Sequence, residues 1–359
     1  MLLLSGTSLQ VFGLMMLSLS NAYYQVFLSQ AICVGLGAGI AFTPSVAAAA
    51  TCLTNPATRA KAMGLMACGS STGKINHFGA CSLRTTYRNP YSCLMLGGII
   101  YPVMFRFLVP QIGFPWTIRS IGFVAWGLYL VSYVVLMSRQ KVSALSLRRF
   151  FDPSALTDLP FMLLCVASVC SATAYYIPSL YLPLVTVERI PSASPDFGFD
   201  LLAILNGSSV VGRLLAGFAA AIWGPTETIS VCLVFGSILL FCWSVVDTVA
   251  GTIAWSVFWG MISGVLVALP GAFIPLFCPS LAVVGTRSGM YWVFVGVGML
   301  IGSPAGGAIY DRKDTSQNSG DHGDWWQLPV FAGVFMMTAA ALTVYPIVHL
   351  RRVSKMASK

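Results

Sequence analysis

The apolar stretch "LLAILNGSSVVGRLLAGF" carries a single basic residue, Arg213, deep inside a run otherwise suited to lipid. A guanidinium at the centre of an isolated membrane helix costs about 2.5–3.5 kcal/mol on the insertion scale, so such residues mostly face a cavity and pair with something. Its planar fork of donors fits a carboxylate. Arg213 is therefore a candidate anion-binding or gating residue; the alternative is an arginine that snorkels or bonds the carbonyls of a neighbouring helix. Asn206 and Ser209 lie seven and four residues before it, on the same side of the helix. They can orient a bound anion, but neither can carry a proton as a carboxylate would. A second cluster, "SATAYYIPSLYLP", offers Tyr175, Tyr176 and Tyr181 as lining for a path, or as interfacial and packing residues.

Other chemistry is sparse. The Asp and Glu residues sit in loops or at the ends of apolar runs, with Asp200 at the mouth of the run that holds Arg213. The 10 Cys form no CxxC pair, and the 3 His (His77, His322 and His349) are far apart. Neither a disulfide framework nor a metal site is expected. No nucleophile elbow, zinc-protease or phosphate-loop pattern occurs in a sensible context, so no catalytic residue, cofactor or enzyme activity is expected. The net charge of +9 is not matched by basic patches interleaved with exposed aromatics, which argues against nucleic acid as a partner.

The elements that must position these residues are membrane helices. The chain is 57% apolar and 9% charged, against roughly 25% charged in soluble domains, and it needs the lipid bilayer as solvent. Apolar runs cover Leu2–Ser20, Tyr24–Thr51, a split run (Ala62–Gly73 with Gly98–Val109), Pro115–Met137, Leu159–Val187, Leu201–Trp223, Thr228–Val246, Thr252–Phe277, Ser288–Ile309 and Leu328–Leu350. The fold class expected is an all-α polytopic membrane protein of about ten helices. With the N-terminus cytoplasmic, inside segments carry Arg59, Lys61, Arg139, Lys141, Arg148, Arg149, Arg287, Arg351, Arg352, Lys355 and Lys359. Outside segments carry the smaller set Arg106, Arg119, Arg189, Arg312 and Lys313, as the positive-inside rule requires. The organisation expected is a helical bundle over 1–137 with an anomalous polar insert at 74–96, a basic cytoplasmic loop over 138–158, a six-helix bundle over 159–350 and a basic tail over 351–359. The spans are dense in Gly, Pro and Ser, as in "GMISGVLVALPGAFIP" and "GVGMLIGSPAGGAIY", which favours a moving bundle over a simple anchor.

Read in order, the text resembles the fungal, monocarboxylate-transporter-like permeases of the major facilitator superfamily. "VFGLMMLSLSNAYYQVFLSQAICVGLGAGIAFTPS" is similar to the third and fourth family helices. "RAKAMGLMACGSSTG" with "GGIIYPVMFRFLVPQIGFPWTIR" is similar to the fifth and the start of the sixth. "LYLP" matches the seventh, "LNGSSVVGRLLAGF" the eighth, and "SGVLVALPGAFIPLFCPSLAVVGTRSGM" with "GMLIGSPAGGAIYD" the tenth and eleventh. The resemblance implies two helical bundles working by alternating access. Proton-coupled members carry an Asp and an Arg four apart on the eighth helix. Arg213 matches that Arg, while Ser209 stands in place of the Asp. Carboxylate binding carries over, and proton coupling through that position does not.

The resemblance starts at the third family helix, so the expected fold is a major facilitator fold lacking its first two helices. The split run is the second departure. Its halves of 12 residues are each too short to cross alone, and a polar stretch cannot lie against lipid with its backbone unsatisfied. Splicing within the Gly73 and Gly97 codons would join them into one glycine and give the family-like "GSSTGGIIYP". Residues 74–96 thus read as translated intron sequence, with a genuine inserted loop or a re-entrant segment as alternatives. The function expected is transmembrane transport of a small organic anion, a monocarboxylate, in the plasma membrane. A truncated or mis-spliced non-transporting paralogue and a transporter-like sensor are the alternatives.

Overall fold

The computed structural model describes residues 2–42, 58, 61, 97–137, 151–190, 195–280, 283–314 and 325–357. The first half of the split run, the insert at 74–96 and most of the central loop lie outside them. The chain divides into two compact units, Met1–Arg148 and Arg149–Lys359. All regular structure among the described residues is helical, and 7 helices there are long and apolar enough to cross a membrane.

The first unit contains α1 (Leu2–Leu17), α2 (Tyr23–Phe42) and α3 (Gly97–Met137). Gln25 sets the start of α2: its Oε1 accepts from the backbone N–H groups of Asn21 and Ala22 at 2.9 and 3.3 Å. The antiparallel helices α1 and α2 approach closely because glycines face each other's backbone. A Cβ on Gly6, Gly13 or Gly37 would fall 2.9, 2.8 or 2.6 Å from backbone atoms of Ala41, Ser29 or Gln10. Across Phe27–Val34, α2 winds as a π-helix, where Ser29 Oγ donates to the Gln25 carbonyl at 2.7 Å. The 41-residue α3 bends at Gly113, whose φ of 75° is open to glycine at little steric cost. Its second half meets α1 through buried Tyr129, which donates to Gln10 Oε1 at 3.0 Å, and through Arg119, which donates to Ser18 at 3.0 Å.

The second unit holds α4 (Leu159–Arg189), α5 (Pro195–Trp223), α6 (Pro225–Trp243), α7 (Val249–Ala268), α8 (Val284–Asp314) and α9 (Gln327–Ala357). After α7 the chain continues through the short helix Pro270–Phe273 into a 3-10 turn, Ile274–Phe277. The α5–α6 corner turns at Gly224, with φ 99°. Each helix has two apolar faces. On α5, Leu201, Leu205, Ala216 and Ala220 are buried, while Val211, Leu215, Phe218 and Ile222 form an exposed stripe. Such a stripe suits lipid, which is as apolar as the interior.

The pairing of these helices has an internal symmetry. α4 packs on α8 and α9, α7 packs on α5 and α6, and α6 packs on α9. Exchanging the first three helices for the last three returns these pairs, as expected for two inverted three-helix repeats, while the packing of α4 on α5 has no counterpart of equal extent between α7 and α8. Small residues make the closest approaches. A side chain on Gly260 or Gly264 of α7 would collide with the backbone of α5 at Leu205 or Ser209. One on Gly298 or Gly302 of α8 would collide with α4 at Val169 or Thr173. Thr173 Oγ1 also donates to the Gly298 carbonyl at 3.1 Å.

Candidate functional site

The geometry gathers part of the expected set at the meeting of α4, α5 and α7. Arg213 is buried at 6% exposure, despite its charge. Its backbone lies against the small face of α7, where a Cβ on Gly264 would stand 3.0 Å from Arg213 N. Next to Gly264, the buried Ser263 hydroxyl donates to the Gly260 carbonyl of its own helix at 2.7 Å. The rings of Tyr175 and Tyr176 meet edge to face, with centroids 4.9 Å apart and planes at 70°. The Arg213 charge acts on both phenols. Ser209, one turn before Arg213, is buried, and its carbonyl faces Gly264. A guanidinium and two phenols so placed can hold a carboxylate at one end and a flat apolar body beside it.

Two expected residues stand apart from this group. Asn206 is exposed, and its Nδ2 donates back to the Leu202 carbonyl at 2.9 Å. Tyr181 joins α4 to α8: its hydroxyl donates to the Ser303 carbonyl at 3.2 Å, its ring lies 5.6 Å from that of Tyr310, and Gly306 makes room for it. That is a helix-packing role.

A second polar cluster was missed. Arg287 enters the sequence reading only as a loop charge. It is 2% exposed and ties together three element ends. It donates to Asp152 at 3.1 Å and to Asp158 at 2.6 Å, both just ahead of α4. It also donates to the Phe277 carbonyl at the end of the 3-10 turn, and its guanidinium lies 5.2 Å from the Phe161 ring centroid. A hydrogen bond from Ser154, aided by Arg287, holds the Asp152 carboxyl below the usual range. At the opposite ends of α4 and α7, Arg189 pairs with Asp247 and lies 4.0 Å from the centroid of Trp325. From there indoles continue inward: Trp325 to Trp243 at 5.9 Å, Trp243 to Trp255 at 5.2 Å and Trp255 to Trp259 at 5.7 Å. Among the described residues no group of three His, Cys, Asp or Glu could hold a metal ion.

A six-helix unit with inverted-repeat pairing and a buried arginine inside a span defines a secondary-transporter bundle. The curated relatives agree, and the chain belongs to the MFS-type transporters of the major facilitator superfamily. It is 32% identical over 338 residues to the MFS-type transporter dbaD of Emericella nidulans, covering 94% of this chain and 68% of that protein. It is 33% identical over 341 residues to an MFS-type transporter of Gibberella moniliformis, covering 93% of this chain and 72% of that protein. It is 31% identical over 342 residues to the fujikurins efflux protein of Gibberella fujikuroi, covering 95% of this chain and 66% of that protein. No family model matches. Among solved structures, the Escherichia coli fucose:proton symporter FucP matches with a TM-score of 0.66 at 14% identity, covering 96% of this chain and 83% of that one. The human organic anion transporter MFSD10 matches with a TM-score of 0.60 at 14% identity, covering 97% and 76%. These two likenesses concern the fold alone. The chain is thus a multi-pass membrane transport protein of fungal type.

Proposed function

We propose that this chain moves a small organic anion, a monocarboxylate, across the plasma membrane by alternating access, with Arg213 as the residue that receives the carboxylate. The observation that carries the reading is a buried guanidinium within an apolar span, with its charge acting on Tyr175 and Tyr176. A charge-assisted hydrogen bond contributes about 1.5–3 kcal/mol, enough to anchor an anion without a metal. Ser209 occupies the position where proton-coupled members of the resembling family carry an acid. Transport therefore runs as facilitated diffusion or on another ion, not through a proton held at that residue. A second reading is outward movement of a larger organic product, favoured by the 31% identical relative named as an efflux protein for fujikurins.

The test is uptake of labelled monocarboxylates by vesicles holding the purified chain. Arg213→Ala lowers uptake by about 10- to 100-fold, the range that loss of one charge-assisted bond gives. Arg213→Lys keeps the charge but loses the fork, and falls between. Unchanged uptake in both variants would sink the anion-site reading. A fluorescent fusion in the source cells checks the membrane: signal confined to an internal organelle overturns the plasma-membrane assignment.

A further inference from the structure

We propose that Tyr175 and Tyr176 form an aromatic half-site beside Arg213, so that the preferred anion is a planar conjugated carboxylate rather than a saturated one. The inference rests on the reading of Arg213 as the anion-binding residue and names the substrate class of that same site.

The first support is position. Tyrosines that anchor a span in the membrane interface sit at its ends. Tyr175 and Tyr176 instead lie near the middle of the 31-residue α4, well inside both Leu159 and Arg189. The second is geometry. Neighbours in a helix point about 100° apart, yet these two rings turn towards each other and meet edge to face at 4.9 Å. Such a pair offers a further ring an edge or a face at the angles aromatic groups prefer. The third is exposure. Tyr176 is 36% exposed while the neighbouring Ile177 and Pro178 are buried, so the described residues leave part of its ring uncovered. The fourth is the charge nearby. Arg213 on α5 is buried and its charge reaches both phenols, and Gly264 lets α5 and α7 close behind it. A carboxylate on the guanidinium would extend its attached group over the tyrosines. A flat ring there gains edge-to-face contact, which a puckered saturated ring of equal size forgoes.

The test compares benzoate with cyclohexanecarboxylate, two acids of similar size and equal charge. Each competes for uptake by full-length chain in vesicles, and each is titrated for thermal stabilisation of the detergent-solubilised protein. Benzoate is expected to act at about tenfold lower concentration. Tyr176→Leu brings the ratio near one, and Tyr176→Phe, which keeps the ring, retains it; each variant is first checked for a single monodisperse peak. Equal potency of the two acids in the natural sequence, with both effects abolished by Arg213→Ala, overturns the aromatic half-site and leaves the anion site standing. Preference that survives the Tyr175→Leu and Tyr176→Leu double change also overturns it. If neither acid competes or stabilises, both readings fall together.

Discussion

Two arginines with opposite appearances in the sequence turn out to be buried. Arg213 was legible because a single charge in an apolar run is costly wherever it points. Arg287 was not, because its acids are 135 and 129 residues away and each of the three looks like an ordinary loop charge. Pairings across such separations follow from helix packing, which hydropathy does not encode. Removing one partner of a buried ion pair leaves the other uncompensated, at about 3–5 kcal/mol. Arg287→Ala is expected to lower the unfolding temperature of the purified protein by several degrees, and a melt in detergent checks it. Asp152 adds a pH dependence of definite sign. Its folded pKa lies below the ordinary 3.8, so its contribution is fully present above that value and is lost as pH falls through the folded pKa. Melting temperature between pH 5 and 8 should therefore be flat with respect to this group, as it should remain in Asp152→Asn. A fall below about pH 4 that is smaller in Asp152→Asn than in the natural sequence identifies the contribution.

The helices themselves were the most legible feature, since any run of about 20 apolar residues must satisfy its backbone internally. Their contacts were only half legible. Glycine density announces close packing, but not which glycines do it. Gly264 and Gly302 would drive a side chain into the facing helix, whereas Gly207 and Gly296 have nothing within 4 Å. Gly264→Leu and Gly302→Leu are expected to destabilise by well over the 1–3 kcal/mol of ordinary overpacking, because the obstacle is backbone. Gly207→Ala and Gly296→Ala should leave the melting temperature within about one degree of the natural sequence, as exposed changes usually do. Equal behaviour of the two pairs in a melt would show that α4–α8 and α5–α7 do not pack as described. The π-helical Phe27–Val34 had no sequence signal at all, because a shift in hydrogen-bond register changes no residue type.

At the scale of the whole molecule, the six-helix unit could be read span by span from α4 to α9, while the order of helix pairing needed coordinates. The insert at 74–96 lies outside the described residues, and the transcript decides its reading. Reads that join Thr72 to Gly98 through one shared glycine are the expected outcome, and uniform retention of the segment overturns the intron reading. One further consequence belongs to the chain of indoles running from Trp325 through Trp243 and Trp255 to Trp259. Rings this close pass excitation between them faster than they emit, so the four act as one optical antenna. The cation of Arg189 sits over its outer end, where it shifts the energy of the Trp325 transition. The intrinsic emission of the unlabelled protein is therefore expected to respond to the pairing of Arg189 with Asp247. Arg189→Ala should move the emission maximum while Arg351→Ala leaves it unchanged.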